Sequence, residues 1–259
     1  MNIEFIKADP AQNMTIFVKS NHDRSLYKEI SERLMKYNSV YAEQVGFIES
    51  PGNQAAWARL QMMGGEFCGN AALSLAAVIA RDKGLKNGET MTIPLEVSGV
   101  NGILNCEVVM NDQVYICKIE MPAPVIEADM VRFPGITHRI IDAREVAPEN
   151  NSYIEETIKS LLAADENEAF GLMFFDEAKQ FMTPVVYVKD IGSIVRERSC
   201  ASGTAALGAF MSSNKCGDIE FAVNQPGGSI TVIVKGSAHS FRIWIKTEVR
   251  IAAEGTAFI

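Results

Sequence analysis

Apolar and polar residues alternate along most of this chain with a period of two, which is typical of half-buried β-strands. Two segments in each half instead repeat their apolar residues with helical spacing. In the first half these segments predict one helix from Asp23 onward and another from Cys68 to about Lys83. In the second half they predict one helix near 152–163 and another from Cys200 to just before Gly217. The predicted strands cover 3–8, 14–19, 42–49, 56–62, 91–97, 103–110, 114–120, 139–142, 169–175, 181–189, 219–223, 229–234 and 241–247.

Two of these helices are apolar on every face, so both are expected to be buried. Each begins at a cysteine, and Gly84 and Gly217 follow at nearly the same distance. The sequence therefore predicts an α/β (α+β) fold of two pseudo-symmetric halves, each a mostly antiparallel or mixed sheet wrapped around a central helix. The proline-rich segment 121–124 places the halves at 1–121 and 122–248, with 249–259 returning to complete the first.

Composition narrows the function. The chain has 259 residues, 47% of them hydrophobic, and a net charge of −8, which excludes bulk binding to nucleic acid because no basic excess is available. No signal peptide or membrane-spanning stretch is recognisable, so a cytoplasmic location is expected. Five cysteines without a CxxC pair and only three histidines do not favour a disulfide scaffold or a structural zinc site. We expect Cys106, Cys117 and Cys216 to be structural.

The two cysteines at helix starts, Cys68 and Cys200, suggest specific chemistry. The positive end of the helix dipole favours a thiolate there, and the first-turn amides can hold a small anion such as an amino-acid carboxylate. If both helix starts meet one substrate, one thiolate can remove the α-proton while the other thiol protonates the opposite face. This predicts inversion of a carbon centre without a cofactor and without a metal. The contributing amides are those of Gly69, Asn70, Ala71, Ala201, Ser202 and Gly203.

Several motifs resemble the diaminopimelate epimerase superfamily of cofactor-independent racemases, over most of the chain. The segment 64–71, GGEFCGNA, is similar nearly letter for letter to that family's first cysteine motif, and 200–204, CASGT, resembles the second. By this resemblance Asn13 and Gln44 correspond to substrate-binding polar residues. The segment 135–138, GITH, resembles the one that carries an active-site histidine, here His138.

The departures from true diaminopimelate epimerases concern groups that grip a long, doubly zwitterionic substrate. Leu73 stands where those epimerases have arginine, and GITH replaces their Gly-Asn-Pro-His. Their usual Gly-Asn-Asp-Phe start and their Glu-Arg-Gly segment before the second cysteine are also not reproduced. The segments 13–16 and 42–48 are more similar to the histidine racemases of staphylopine-type metallophore pathways. That resemblance implies interconversion of L-histidine and D-histidine.

The expected roles follow from these patterns. Cys68 and Cys200 are the acid and base, His138 orients or deprotonates a thiol, and Glu197 influences Cys200. The substrate-binding candidates are Asn13, Glu43, Gln44, Gly69, Asn70, Ala201, Ser202 and Gly203.

Alternatives stay open at this stage. The chain could be a diaminopimelate epimerase, a racemase of another amino acid, or a non-enzymatic amino-acid-binding or thiol-redox protein. We expect an amino acid as partner, with no nucleic acid and no membrane, and leave a homodimer open.

Overall fold

The alternating segments of the first half become strands of a mixed sheet around one buried helix. A computed structural model describes residues 1–189, 192–215, 218–237 and 240–259. The chain divides into two compact units, Met1–Glu120 together with Lys246–Ile259 (unit 1) and Met121–Ile245 (unit 2). Unit 1 therefore includes the C-terminal segment.

In unit 1, β1 to β7 lie side by side in the sheet in the same order as they follow one another along the chain. Neighbouring strands are antiparallel except for the pairs β2–β3 and β4–β5, which are parallel and have a helix in the connection. The elements are β1 (Asn2–Pro10), β2 (Thr15–Val18), α1 (Tyr27–Met35), β3 (Gln44–Glu49), β4 (Ala58–Met62), α2 (Gly69–Asp82), β5 (Thr90–Val97), β6 (Leu104–Asn111) and β7 (Val114–Glu120).

Unit 2 repeats this plan. Here β10–β11 and β12–β14 are the parallel pairs with a helix in the connection. The elements are β8 (Val125–Glu127), β9 (Met130–Phe133), β10 (Ile136–Asp142), α3 (Asn151–Ala164), β11 (Ala169–Asp176), β12 (Phe181–Val188), β13 (Ser193–Arg196), α4 (Ala201–Lys215), β14 (Ile219–Gln225) and β15 (Gly228–Ser237), followed by β16 (Ser240–Phe258), which begins in unit 2 and ends in unit 1.

The helices α2 and α4 are the centres of their units. In α2 nearly every side chain is buried, including Leu73, Leu75 and Val78, and the helix packs on β1, β2, β5, β6 and β7. The helix α4 packs on β9, β10, β11, β14 and β15 of its own unit. This confirms the predicted pseudo-symmetric fold, and the physical reason is that an all-apolar helix needs a sheet around it.

Several element predictions were incomplete. The strands β8, β9 and β13 were not predicted, because each is only three or four residues long, too short for a period of two to be recognised. The predicted strand 241–247 and the tail 249–259 form one continuous strand, β16, whose residues Val249–Phe258 pair with β1. Cys216 and Gly217, at the predicted end of the second central helix, lie outside the described residues.

Candidate active site

The first cysteine stands at the N-terminus of α2 as its capping residue. Cys68 has extended backbone angles, φ −125° and ψ 109°, so the chain turns into the helix immediately after it. Its Sγ accepts a hydrogen bond from Ala71 N at 3.4 Å, and its carbonyl accepts from Ala72 N at 3.0 Å. The thiol is not part of a disulfide and is half-buried, and it lies beside backbone N–H groups of the first helical turn.

A chain of polar side chains connects Cys68 to the start of β2 and β3. Cys68 Sγ lies 3.1 Å from Gln44 Oε1. Gln44 Nε2 donates to Asn13 Oδ1 at 2.6 Å and to Thr15 Oγ1 at 2.8 Å. Asn13 Nδ2 donates to Glu43 Oε2 at 2.7 Å. The structure thus brings three predicted binding residues, Asn13, Glu43 and Gln44, into one network with Cys68.

The second cysteine has the same local geometry at the start of α4. Cys200 Sγ accepts from Gly203 N at 3.3 Å, and its carbonyl accepts from Thr204 N at 3.0 Å. Ser202 Oγ lies 3.5 Å from the sulfur. Cys200 N donates to Gln225 Oε1 at 2.8 Å, which fixes the backbone just ahead of the helix. Each unit therefore presents one thiol that receives an N–H from the residue three positions later.

A turn supports the segment before each cysteine. In unit 1, Ser98 Oγ donates to Glu66 O at 2.8 Å, and in unit 2, Gly227 N donates to Arg198 O at 2.7 Å. Gly99 has φ +77°, and a Cβ at that position would lie 2.5 Å from Phe67 N. Only glycine fits there, because the turn packs directly on the backbone that leads into Cys68.

The electrostatic surroundings of Cys200 oppose ionisation. Burial raises the pKa of this thiol well above its ordinary range, and the adjacent Glu197 carboxylate raises it further. Hydrogen bonds from Ser202 and Gly203 act in the opposite direction and lower the pKa. Burial therefore keeps Cys200 as a protonated thiol at pH 7, and two hydrogen-bond donors and the Glu197 carboxylate lie close to its sulfur.

His138 lies inside unit 2, on β10, and is completely buried. Its Nε2 is 3.0 Å from Ser202 Oγ, so it is linked to Cys200 through that hydroxyl. Burial lowers the pKa of His138 to about 3, so the imidazole is neutral at pH 7. Among the described residues, Nδ1 has no hydrogen-bond partner, and Gly171 on β11 leaves the space for this side of the ring.

The remaining predicted residues lie in the first turns of the two central helices. Gly69, Asn70 and Ala201 are the opening residues of α2 and α4, and the Asn70 side chain is buried. Sequence reasoning missed Thr15 and Gln225, both buried and hydrogen-bonded to predicted site residues. Gln225 begins the segment Gln-Pro-Gly-Gly at 225–228, whose composition is typical of a turn and was the available signal; Thr15 had no comparable one.

Gly203 is tightly enclosed, which makes it a test of the Cys200 geometry. A Cβ at this position would overlap Met173 Sδ and lie 3.3 Å from Cys200 Sγ. We expect Gly203→Ala to lower the free energy of unfolding by about 1 kcal/mol, at the low end for overpacking because methionine can adjust. Urea denaturation measures this, and equal stability would show that the space is larger than described.

Within the described ranges, no group of three or more His, Cys, Asp or Glu side chains is arranged to hold a metal ion. None of the helices described is both long and apolar enough to span a membrane.

The fold is shared with solved structures of epimerases and isomerases. A hydroxyproline epimerase from Agrobacterium vitis superposes with a TM-score of 0.65 at 10% identity, covering 98% of this chain and 92% of that one. A phenazine biosynthesis protein of the PhzF family from Bacillus anthracis gives a TM-score of 0.67 at 15% identity, covering 100% and 99%. These likenesses define the fold class of the chain as that of the pseudo-symmetric epimerases.

The sequence comparisons identify the family within this class. The family model described as the histidine racemase CntK N-terminal domain matches residues 2–258. A histidine racemase from Fusobacterium nucleatum is 38% identical, over 99% of this chain and 97% of its own length. Another from Staphylococcus aureus is 33% identical, over 99% and 98%. The chain therefore belongs to the histidine racemase family.

Proposed function

We propose that this protein interconverts L-histidine and D-histidine without a cofactor, with Cys68 and Cys200 as the two acid–base groups. The observation that carries the proposal is the matched geometry of the two thiols. Each stands at the start of a buried central helix, and each sulfur accepts the N–H of the residue three positions later. Membership of the histidine racemase family supports histidine as the substrate.

The proposed reaction is a proton exchange at the α-carbon. One cysteine, as a thiolate, removes the α-proton and becomes a thiol. The other, as a thiol, gives its proton to the opposite face and becomes a thiolate, so no net proton is gained or lost. The reverse direction exchanges the two roles. General acid–base groups of this kind typically contribute about 10²–10⁴-fold to a rate.

The environment of Cys200 suggests how its thiolate is formed. Glu197 lies close enough to influence the thiol, and we assign it the role of accepting the Cys200 proton when substrate binds. The thiolate is then stabilised by Gly203 N and by the Ser202 hydroxyl. If His138 carries its hydrogen on Nε2, it donates to Ser202 Oγ and leaves the Ser202 hydrogen directed at the sulfur. We therefore assign His138 an orienting role through Ser202.

The substrate carboxylate is assigned to the first-turn amides that follow the cysteines. The N–H groups at the start of a helix have no partner within it and favour an anion. They would also stabilise the negative charge that develops on the carboxylate as the α-proton leaves. Gly69, Asn70, Ala201 and Ser202 supply these groups in the proposal. A cytoplasmic location is part of the same proposal, since a reducing compartment keeps the free thiols reduced.

The test is incubation of the reduced protein with L-histidine in deuterated water, without added cofactor. We expect D-histidine that carries deuterium at the α-carbon, measured by chiral chromatography and mass spectrometry. Turnover of diaminopimelate or another amino acid, with none of histidine, would keep the two-thiol chemistry and reject the substrate. Absence of α-deuterium in every amino acid tested would reject racemisation, and binding of one enantiomer alone would indicate a binding protein.

A further inference from the structure

The side-chain amide of Gln44 is held in one orientation by contacts that do not involve Cys68. An amide can present either its oxygen or its nitrogen to a neighbour, so the hydrogen-bond network must decide which one it presents. Here two independent sets of contacts decide it, one through Asn13 and one through Thr15. Both lead to the same orientation.

The first set begins at a carboxylate. Glu43 as a carboxylate can only accept hydrogen bonds, so the Asn13 group that faces it at 2.7 Å must be the NH₂ group. Asn13 Oδ1 then points the other way and accepts from Gln44 at 2.6 Å. The Gln44 atom in that contact must be Nε2.

The second set begins at a backbone carbonyl. Thr15 Oγ1 lies 3.2 Å from Asn13 O, which can only accept, so the Thr15 hydroxyl donates to it. A lone pair of Thr15 Oγ1 is then available to Gln44 Nε2 at 2.8 Å. Thr15 is completely buried and is the direct partner of Gln44 in the parallel pairing of β2 and β3. Both hydrogens of the Gln44 amide are thereby in use.

The orientation of the Gln44 amide determines which of its atoms faces Cys68. With Nε2 committed, Gln44 presents Oε1 to Cys68 Sγ at 3.1 Å. An amide oxygen accepts a hydrogen bond from a thiol, whereas it repels a thiolate, which has no hydrogen to give. The contact therefore stabilises the form of Cys68 that carries a proton.

We propose that Gln44 is a positioning residue that holds Cys68 as a thiol in the free protein, through an amide whose orientation is fixed by Asn13 and Thr15. This inference rests on the proposed function and adds a role for Gln44 to the proposed mechanism. It gives Cys68 the role of proton donor at the start of the cycle, so substrate first meets a protonated sulfur on that side. It also gives Gln44 a task other than contact with the substrate.

The test removes the Thr15 contact, replaces Glu43 by an amide that permits either orientation of Asn13, and measures the thiolate at Cys68 by alkylation. In the double variant Thr15→Val/Glu43→Gln, the Gln44 amide can turn and donate Nε2–H to the sulfur. Iodoacetamide reacts with the thiolate, so we expect alkylation of Cys68 at pH 7 to become about fivefold faster, the effect of roughly one hydrogen bond. Peptide mass spectrometry resolves Cys68 from the buried Cys106 and Cys117, which serve as internal references.

Two further variants separate the proposed cause from simple loosening. Thr15→Ser keeps the hydroxyl and should alkylate Cys68 at the wild-type rate. Adding Gln44→Leu to the double variant removes the amide altogether, so Cys68 loses its acceptor but gains no donor, and its alkylation rate should lie between those of the wild type and the double variant. An unchanged rate in the double variant, or the full fivefold gain in the variant that also carries Gln44→Leu, would overturn the proposal.

A second measurement needs no change to the network and covers the case in which the double variant fails to fold. The Raman S–H band that is lost on Cys68→Ala belongs to Cys68. We expect it to be present at pH 7 and shifted to lower frequency, as for a hydrogen-bonded thiol; its absence would contradict the proposal. Neither measurement uses histidine, so their failure and a failure of the racemase assay are distinguishable.

Discussion

Replacing either Cys68 or Cys200 by serine is expected to abolish racemisation of histidine. Serine nearly preserves the shape of cysteine, but its hydroxyl is far less acidic than a thiol and cannot serve as the α-carbon base. We expect the rate to fall by about 10²–10⁴-fold in each variant. Because the two thiols act in one exchange, the double variant should be no worse than either single one. Chiral chromatography of L-histidine and D-histidine in both directions measures the loss.

A matched control comes from the cysteine inside the sheet of unit 1. Cys106 on β6 is buried, and Cys106→Ala should leave the racemisation rate unchanged while costing some stability. Far-ultraviolet circular dichroism must show that both serine variants remain folded. A serine variant should still catalyse elimination from a substrate analogue with a good leaving group, since that reaction needs only one base. Full racemase activity in either serine variant would reject the two-thiol mechanism.

Acid is expected to destabilise unit 2 through His138. Burial lowers the pKa of this side chain to about 3, whereas in the unfolded chain a histidine titrates near its ordinary value of about 6.5. Between these values the unfolded chain binds a proton that the folded protein does not, so stability falls as the pH falls from about 7 toward 3. By pH 4 the loss from this one group is about 3 kcal/mol, at 1.36 kcal/mol per pKa unit.

The variant His138→Gln tests this contribution. Glutamine keeps a polar group for Ser202 but does not titrate, so its unfolding free energy should depend less steeply on pH. Urea denaturation at pH 7 and pH 4 gives the pH-dependent loss for each protein, and the two losses should differ by about 3 kcal/mol. Because each protein is compared with itself at two pH values, the effect of the substitution on stability at pH 7 cancels. Equal pH dependence in the two proteins would mean that His138 is accessible to a proton in the folded state.

Much of the fold was predictable because its signals are local. The glycine-rich starts at Cys68 and Cys200, followed by runs of small apolar residues, indicated two buried helices, and the period-two segments indicated the long strands. The strands β8 and β13 were not predictable in this way. Val125 on β8 is exposed and Ser193–Arg196 is only four residues long, so neither has an apolar face from which periodicity could be recognised.

For the site, the sequence indicated which residues belong to it, but it did not indicate which atoms those residues contact. Asn13 and Gln44 were expected to bind substrate, yet the structure joins both to Cys68 in a hydrogen-bonded chain. Thr15 completes that chain and was not singled out, because a threonine at a strand start has no distinctive pattern. His138 was expected to act on a thiol, and in the described part of the chain it is linked to Cys200 through the Ser202 hydroxyl.

The sequence by itself determined the repeated plan, the two cysteines at helix starts and the family, since each depends on residues adjacent along the chain. The tertiary structure decided which atom of each side-chain amide, oxygen or nitrogen, faces which partner. Gln44 faces Cys68 with its oxygen because its NH₂ group donates to Thr15, its partner in the parallel pairing of β2 and β3, and to Asn13, whose amide is oriented by Glu43. Which atom of an amide faces a thiol depends on partners about 30 residues away, so only the folded chain settles it.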